Sequence, residues 1–223
     1  MSTAAVKEAL MKMPELPRLM GELASALEEE RQRRQDFYEW DDENKKVEFI
    51  NGEIVEHSPV PEEHSTTFNY LSTSLTIHVD FNDLGGVRLE KAMVSLTRND
   101  YEPDLCFWLK HISDFFKMGQ THYPAPNWVC EILSKGTEAT DRTTKFKDYA
   151  LHGVQEYWIV DPRKQIIEQF LLDEEGAEYY LYKKLGVADS IESIVIKNFK
   201  IPVLSIFDKE ANNKTIADLI RQK

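Results

Sequence analysis

Residues 128–162 contain Trp128-Val129-Cys130-Glu131-Ile132-Leu133, then Thr140-Asp141-Arg142-Thr143-Thr144-Lys145, then Gly153-Val154-Gln155-Glu156-Tyr157-Trp158-Ile159-Val160-Asp161-Pro162. The first and last segments are nearly continuous in apolar residues, as strands buried on both faces are. Between them a helix is expected, capped by Thr140 and closed by Gly153. Strand, helix and strand in that order predict a crossover unit.

Working outward, residues 87–97 and 103–109 read as further strands, with a short helix at 113–118. Upstream, Val47-Glu48-Phe49-Ile50, Asn51-Gly52 and Glu53-Ile54-Val55-Glu56 make a hairpin with a two-residue primed turn. With Asn51 and Gly52 as the loop, Glu48, Ile50, Glu53 and Val55 share one face, so two carboxylates project the same way. After Pro61 a helix is expected through about Val79, stopped at Gly85-Gly86, with His64 in its first turn. Downstream, residues 165–172 and 179–184 form an exposed hairpin around a turn at 173–176. A strand at 193–196 and a helix at 215–221 finish the domain. The first 40 residues are helix-favouring, over 4–11 and 15–37, and broken by Pro14 and Pro17. Their run from Glu28 to Arg34 reads most simply as a solvated helical face, with a partner-binding helix as the other reading.

A chain of 223 residues, 42% hydrophobic, buries one sizeable core plus an appendage. Its apolar runs are far short of the ~20 residues that span a bilayer, and no signal-peptide core is present, so no membrane role is expected. Cys106 and Cys130 each lie inside an apolar run and read as reduced, buried thiols, which places the protein in the cytoplasm. A formal charge of −12 opposes non-specific affinity for nucleic acid. Any such role needs a local basic patch, bound divalent cations, or both.

Carboxylates inside apolar strands are costly unless a cation or hydrogen-bond donors compensate them. Asp104, in Pro103-Asp104-Leu105-Cys106-Phe107-Trp108-Leu109, and Glu131 are the two cases. If their strands are neighbours, both can converge on a hard cation such as Mg²⁺ or Mn²⁺; otherwise Asp104 caps a strand end and Glu131 bonds a backbone group or an Arg. Lys145, four residues after Asp141, is either a surface partner of Asp141 or a cation beside the metal, orienting the attacking water or stabilising charge on a phosphate oxygen. Tyr149 follows one turn later. The remaining histidines, His57, His78, His111, His122 and His152, have no ligand-like spacing.

Pro103-Asp104, Glu131-Ile132-Leu133-Ser134, Asp141 followed by Lys145 and Tyr149, and the run from Gly153 to Pro162 together closely resemble the Uma family of restriction-endonuclease-like proteins. Glu48, Asn51-Gly52-Glu53-Ile54-Val55 and the stretch from Pro61 to His64 fit as well. That family is similar to the PD-(D/E)XK nuclease superfamily. The resemblance implies an α/β (α+β) fold, a restriction-endonuclease-like mixed β-sheet flanked by helices, over residues 41–223, with a helical N-terminal extension over 1–40. It implies metal-dependent phosphodiester hydrolysis, with Asp104 and Glu131 as metal ligands. The superfamily lysine position, two residues after Glu131, holds Leu133, and the family places the lysine on the following helix, where Lys145 matches. Glu53 and His64 match recurring positions and would supply a third ligand or a water-positioning group; their bland readings are a solvated hairpin carboxylate and a hydrogen-bonding residue of a first helical turn.

The expected function is therefore that of a Mg²⁺- or Mn²⁺-dependent endonuclease, a hydrolase acting on DNA, with Asp104, Glu131 and Glu53 on the metal and Lys145 and His64 completing the site. Arg88, Lys91, Arg98, Arg142, Lys145 and Lys147 would then have to gather on the substrate face. The alternative is a weakly active or inactive nuclease-fold binding or assembly module, favoured by the displaced lysine and the net charge. A metal-dependent hydrolase of smaller phosphoesters would use the same site. A homodimer suits cutting of two strands by two sites, although the sequence shows no interface.

Overall fold

Strand order and side-chain alternation place the two carboxylates. The computed structural model describes residues 3–40, 46–173, 175 and 178–221. In chain order the elements are α1 (Thr3–Met11), α2 (Leu16–Trp40), β1 (Val47–Ile50), β2 (Glu53–Glu56), α3 (Glu62–Phe81), β3 (Gly85–Leu89), β4 (Met93–Ser95), β5 (Asp100–Tyr101), β6 (Leu105–Leu109), α4 (Lys110–Ser113), β7 (His122–Tyr123), β8 (Trp128–Ile132), α5 (Glu138–Asp141), α6 (Thr144–Leu151), β9 (Glu156–Asp161), β10 (Ile166–Leu172), β11 (Tyr179–Gly186), β12 (Ser190–Glu192), β13 (Lys200–Pro202) and α7 (Lys209–Arg221).

A six-stranded sheet runs β11-β10-β9-β8-β6-β3. Strands β8 and β9 are parallel and joined through α5 and α6, as a crossover requires, while β6 and β10 flank them antiparallel, so the sheet is mixed. Trp128, Cys130 and Ile132 of β8 face one core with Leu71, Leu75 and Val79 of α3. Val129 and Leu133 face the opposite core with Tyr149 of α6. Glu131 shares that second face by the two-residue period of a strand. A five-stranded sheet, β2-β1-β5-β4-β7, contributes Ile50, Val94 and Tyr101 to this second core. Both cysteines are buried and free. Among the described residues no helix is long and apolar enough to cross a membrane.

Several sequence expectations change. The strand expected over 87–97 is two strands, because Glu90 and Lys91 take positive φ (32° and 43°) and turn the chain between β3 and β4. Gly85 and Gly86 open β3, and the helix before them ends at Phe81, with Asn82 as its C-cap. Thr140 is no cap: it lies inside α5, and α6 begins afresh at Thr144. Gly153 ends α6 as expected, at φ 76°. The helix expected at 113–118 occupies Lys110–Ser113. Residues 193–196 form a loop instead of a strand, because the buried Glu156 carboxylate accepts hydrogen bonds from Ser193 Oγ and from the Ile194 and Val195 N–H groups. Helix α7 starts six residues earlier than expected. The expected turn at 173–176 includes Glu174 and Gly176, and the expected domain boundary adjoins 41–45; these residues lie outside the described ones.

The end of the N-terminal extension is fastened to the domain. Phe37 is buried with Val47, Phe49 and Met93. Arg34 donates to Asp100 and to the Leu96 and Thr97 carbonyls, and Arg98 pairs with Glu30 at 2.6 Å. The charged run is thus a solvated face only in part, as in the Glu28–Arg31 pair. Phe37→Ala is expected to lower stability by roughly 3–5 kcal/mol, the usual cost of emptying a buried phenyl site, read as a reduced urea midpoint. An unchanged midpoint would mean that α2 is not held at this contact.

Candidate active site

Leu105 of β6 pairs with Cys130 of β8, which sets Asp104 beside Glu131. Asp104 Oδ2 accepts the Ile132 N–H at 2.8 Å and lies 3.2 Å from His64 Nε2, while its Oδ1 accepts from Lys46 Nζ at 2.8 Å. Glu131 Oε2 accepts the Asp104 N–H at 3.3 Å. Its Oε1 accepts from Lys145 Nζ and from the Tyr149 hydroxyl, each at 3.0 Å. Helix α6 therefore brings its lysine to the carboxylate pair from one side while Leu133, at the usual lysine position, stays in the apolar core.

Lys145 is almost fully buried. Its ammonium also lies 2.9 Å from Glu48 Oε1 and 3.4 Å from Asp141 Oδ1. Glu48 takes two more hydrogen bonds, from the Glu102 N–H and from His57, both at 2.9 Å. The structure thus brings together Asp104, Glu131, Lys145 and His64. It does not bring Glu53, which is exposed on β2 at the edge of its sheet. Although Glu48 and Glu53 belong to one hairpin, Glu48 is on the inner strand β1, under the crossover, and is the hairpin carboxylate that reaches the site.

Four buried carboxyls, Glu48, Asp104, Glu131 and Asp141, face two buried or part-buried ammonium groups, Lys46 and Lys145. The protonation equilibria reflect this shortage of positive charge. Burial alone would raise Glu48, but the Lys145 charge and the His57 hydrogen bond bring it down to about 2. Burial likewise opposes ionisation of Asp104, which the Lys46 charge and the His64 hydrogen bond hold well below the usual carboxylate range. Glu131 is pushed up to about 8 by burial, because Lys145 is outweighed once the Asp141, Asp104 and Glu48 charges are added. Asp141 is also raised, by burial first. Burial disfavours the Lys145 ammonium, yet Glu131, Glu48 and Asp141 hold its pKa well above the ordinary value.

These residues border a cavity of about 540 Å³ between the start of α3, the strap at 57–61 and the loop after β8, with Lys46, Lys135 and Arg163 among its walls. Of the six basic side chains expected on a substrate face, Lys145 lines this cavity and Lys91 an adjoining one. Arg98 is paired with Glu30, and Arg142 with Glu138 and Glu168. Arg88 lies over the Phe116 and Tyr123 rings, and Lys147 borders a different cavity.

The donor set suits a hard divalent cation held by two carboxylates. Asp104 and Glu131 are adjacent, four buried carboxyls share two ammonium groups, and Asp141 Oδ1 and His64 Nδ1 are buried without a hydrogen bond. Among the described residues no three His, Cys, Asp or Glu side chains form a ready ligand set. Mg²⁺ commonly keeps several waters and takes only one or two protein carboxylates.

A mixed sheet flanked by helices, with a strand-borne acidic pair and a helix-borne lysine beside it, is the class of restriction-endonuclease-like folds. The family model Uma2, described as "Putative restriction endonuclease", matches residues 34–203, well over half of the chain, and the chain belongs to that family. No curated protein matches. Among solved structures, the crystal structure of a "putative nuclease belonging to DUF820" from Anabaena variabilis ATCC 29413 aligns with TM-score 0.65 and 17% identity, covering 78% of this chain and 96% of that one. At that identity the likeness speaks to the fold alone.

Lys145→Met is expected to cost roughly 3–5 kcal/mol at pH 7, since it leaves buried carboxylates without their counter-charge. With chelator present, the raised Glu131 makes the folded state bind more protons than the unfolded state, so its contribution favours folding below about pH 4.5 and is lost as pH rises through about 8. Glu131→Gln should therefore gain on wild type as pH rises across this window, in urea titrations. A constant difference would show that Glu131 is not the group holding the proton.

Proposed function

We propose that this chain is a Mg²⁺- or Mn²⁺-dependent endonuclease that hydrolyses DNA phosphodiester bonds. The observation that carries this reading is the pairing of Asp104 and Glu131 on adjacent strands at a cavity wall, with Lys145 Nζ 3.0 Å from Glu131 although it comes from a helix. Asp104 and Glu131 would hold the cation, which supplies polarisation of the phosphate and a water acidic enough to attack at neutral pH.

The protein's own groups do the rest. Lys145, fixed by Glu48 and Asp141, presents an ammonium to the cavity, where it stabilises negative charge developing on a phosphate oxygen and orients the attacking water. Glu131, whose pKa burial and the neighbouring carboxyls raise in the metal-free site, would give up its proton on binding the cation. His64 fixes the orientation of Asp104 and is a positioning residue in this scheme. Glu53, exposed on the hairpin edge, has no part in it. With both cysteines free and buried, the cytoplasm is the compartment we assign.

The binding-module reading is favoured by one observation, the Lys46 ammonium already seated on Asp104. Plasmid and single-stranded DNA incubated with Mg²⁺, Mn²⁺ or EDTA separate the two. Cutting is expected with either metal and not with EDTA, with loss of cutting in Asp104→Asn and Glu131→Gln. In Lys145→Met, with folding verified by circular dichroism, the rate should fall by ~10²–10⁴, the range for a positioned proton-transfer or charge-stabilising group. Absence of cutting by the folded wild type with both metals would leave the binding module; unchanged cutting in Lys145→Met would remove the role of that lysine.

A further inference from the structure

The two oxygens of Asp104 are engaged unequally. Oδ2 accepts the Ile132 N–H and faces His64 Nε2, two partners that fix the orientation of the carboxylate. Among the described residues the partner of Oδ1 is the Lys46 ammonium, at 2.8 Å. Glu131 is divided in the same way: Oε1 takes Lys145 and Tyr149, while Oε2 takes only the long 3.3 Å hydrogen bond from the Asp104 N–H. Each carboxylate oxygen has two acceptor positions, so the capacity left for a cation lies chiefly on Asp104 Oδ1 and Glu131 Oε2. An ammonium already stands on the first.

The two site lysines are held differently. Lys145 touches three carboxylates and its side chain is 2% exposed, whereas Lys46 pairs with Asp104 alone and is 24% exposed. The Lys46 backbone is tied to the end of the hairpin, where its carbonyl accepts the His57 N–H at 3.0 Å, so its flexible four-carbon stem is the part that can move. Lys46 also stands on the wall between two cavities. Besides the site cavity it borders one of about 370 Å³ whose walls include Glu56 and Glu90. That second cavity is adjacent, because the Glu90 N–H donates to the Asp104 carbonyl at 3.1 Å. An ammonium leaving Asp104 therefore has room and acidic side chains beside it.

We propose that Lys46 is an internal stand-in for the divalent cation: it neutralises Asp104 when no metal is bound, is displaced toward the adjoining cavity when metal binds, and thereby sets the metal affinity of the site. This inference rests on the metal-dependent reading above. Its physical basis is that a buried carboxylate without a counter-charge is strongly destabilising, so the chain supplies one of its own, and an incoming cation must first break that pair. The protein then folds without metal and loads only above a threshold of divalent cation.

Two measurements on the full chain test this. Lysines are acetylated with an amine-reactive ester in EDTA or in saturating Mn²⁺ and read by peptide mass spectrometry. Lys46 should be protected in EDTA and gain reactivity with Mn²⁺, while exposed Lys135 stays reactive and buried Lys145 stays protected in both. In calorimetric titration Lys46→Met should bind Mn²⁺ ~10- to 100-fold more tightly than wild type, the equivalent of one charge-assisted hydrogen bond no longer broken. The labelling arm uses wild type and so does not depend on the variant folding. Mn²⁺ binding with no gain in Lys46 reactivity, or with unchanged affinity in Lys46→Met, would overturn the stand-in and leave the metal site in place. Absence of Mn²⁺ binding by both proteins would overturn the metal site and the stand-in together.

Discussion

A lysine ammonium enclosed by three carboxylates organises this protein. Moving a charge out of water costs several kcal/mol per ion even after relaxation, so Lys145 is stable at its depth only with Glu48, Glu131 and Asp141 all present, and they in turn need it. Those partners come from β1, β8 and α5. One ammonium therefore clamps the small sheet, the central sheet and the crossover helix together, and the cavity lies where the three meet. The clamp is incomplete in charge: four buried carboxyls share two ammonium groups, and burial together with the neighbouring carboxyls raises the Glu131 pKa.

The two strand carboxylates were legible because an acidic residue in an apolar run is an energetic anomaly at any stage of reading. Glu48 obeys the same rule: Val47, Phe49 and Ile50 around it are all buried. The two-residue period gives the same face to Glu48 and Glu53 and says nothing about which end of the ribbon is covered. The strand order decides it, because β1 is enclosed between β2 and β5 while β2 is the edge. Lys46 and His57 had no sequence signal. Each is an ordinary polar residue beside a hairpin, and their roles come from long-range contacts with Asp104 and Glu48.

The crossover from β8 to β9 was legible for a related reason: continuous apolar runs separated by a helical segment admit few topologies. What failed was local. Nothing in the residues 87–97 announces that Glu90 and Lys91 will take positive φ, a conformation uncommon for either. The β-branched run at 193–196 has strand propensity, yet its N–H groups are captured by the Glu156 carboxylate, a tertiary partner 37 residues or more away in sequence. Propensity was overridden there by the need to satisfy a buried charge.

The acidity of the chain looks incompatible with a polyanionic substrate until range is considered. At physiological salt, exposed charges are screened beyond about 8 Å, so the net charge of the whole surface governs the approach of a substrate more than its contact. Of the arginines expected on a basic face, Arg98 and Arg142 are engaged within the protein. Lys46, Lys135, Lys145 and Arg163 line one cavity, but Lys46 and Lys145 are themselves paired with buried carboxylates. Under the proposed function, attraction for a phosphate would therefore come from a cation held at the carboxylates and not from a basic groove.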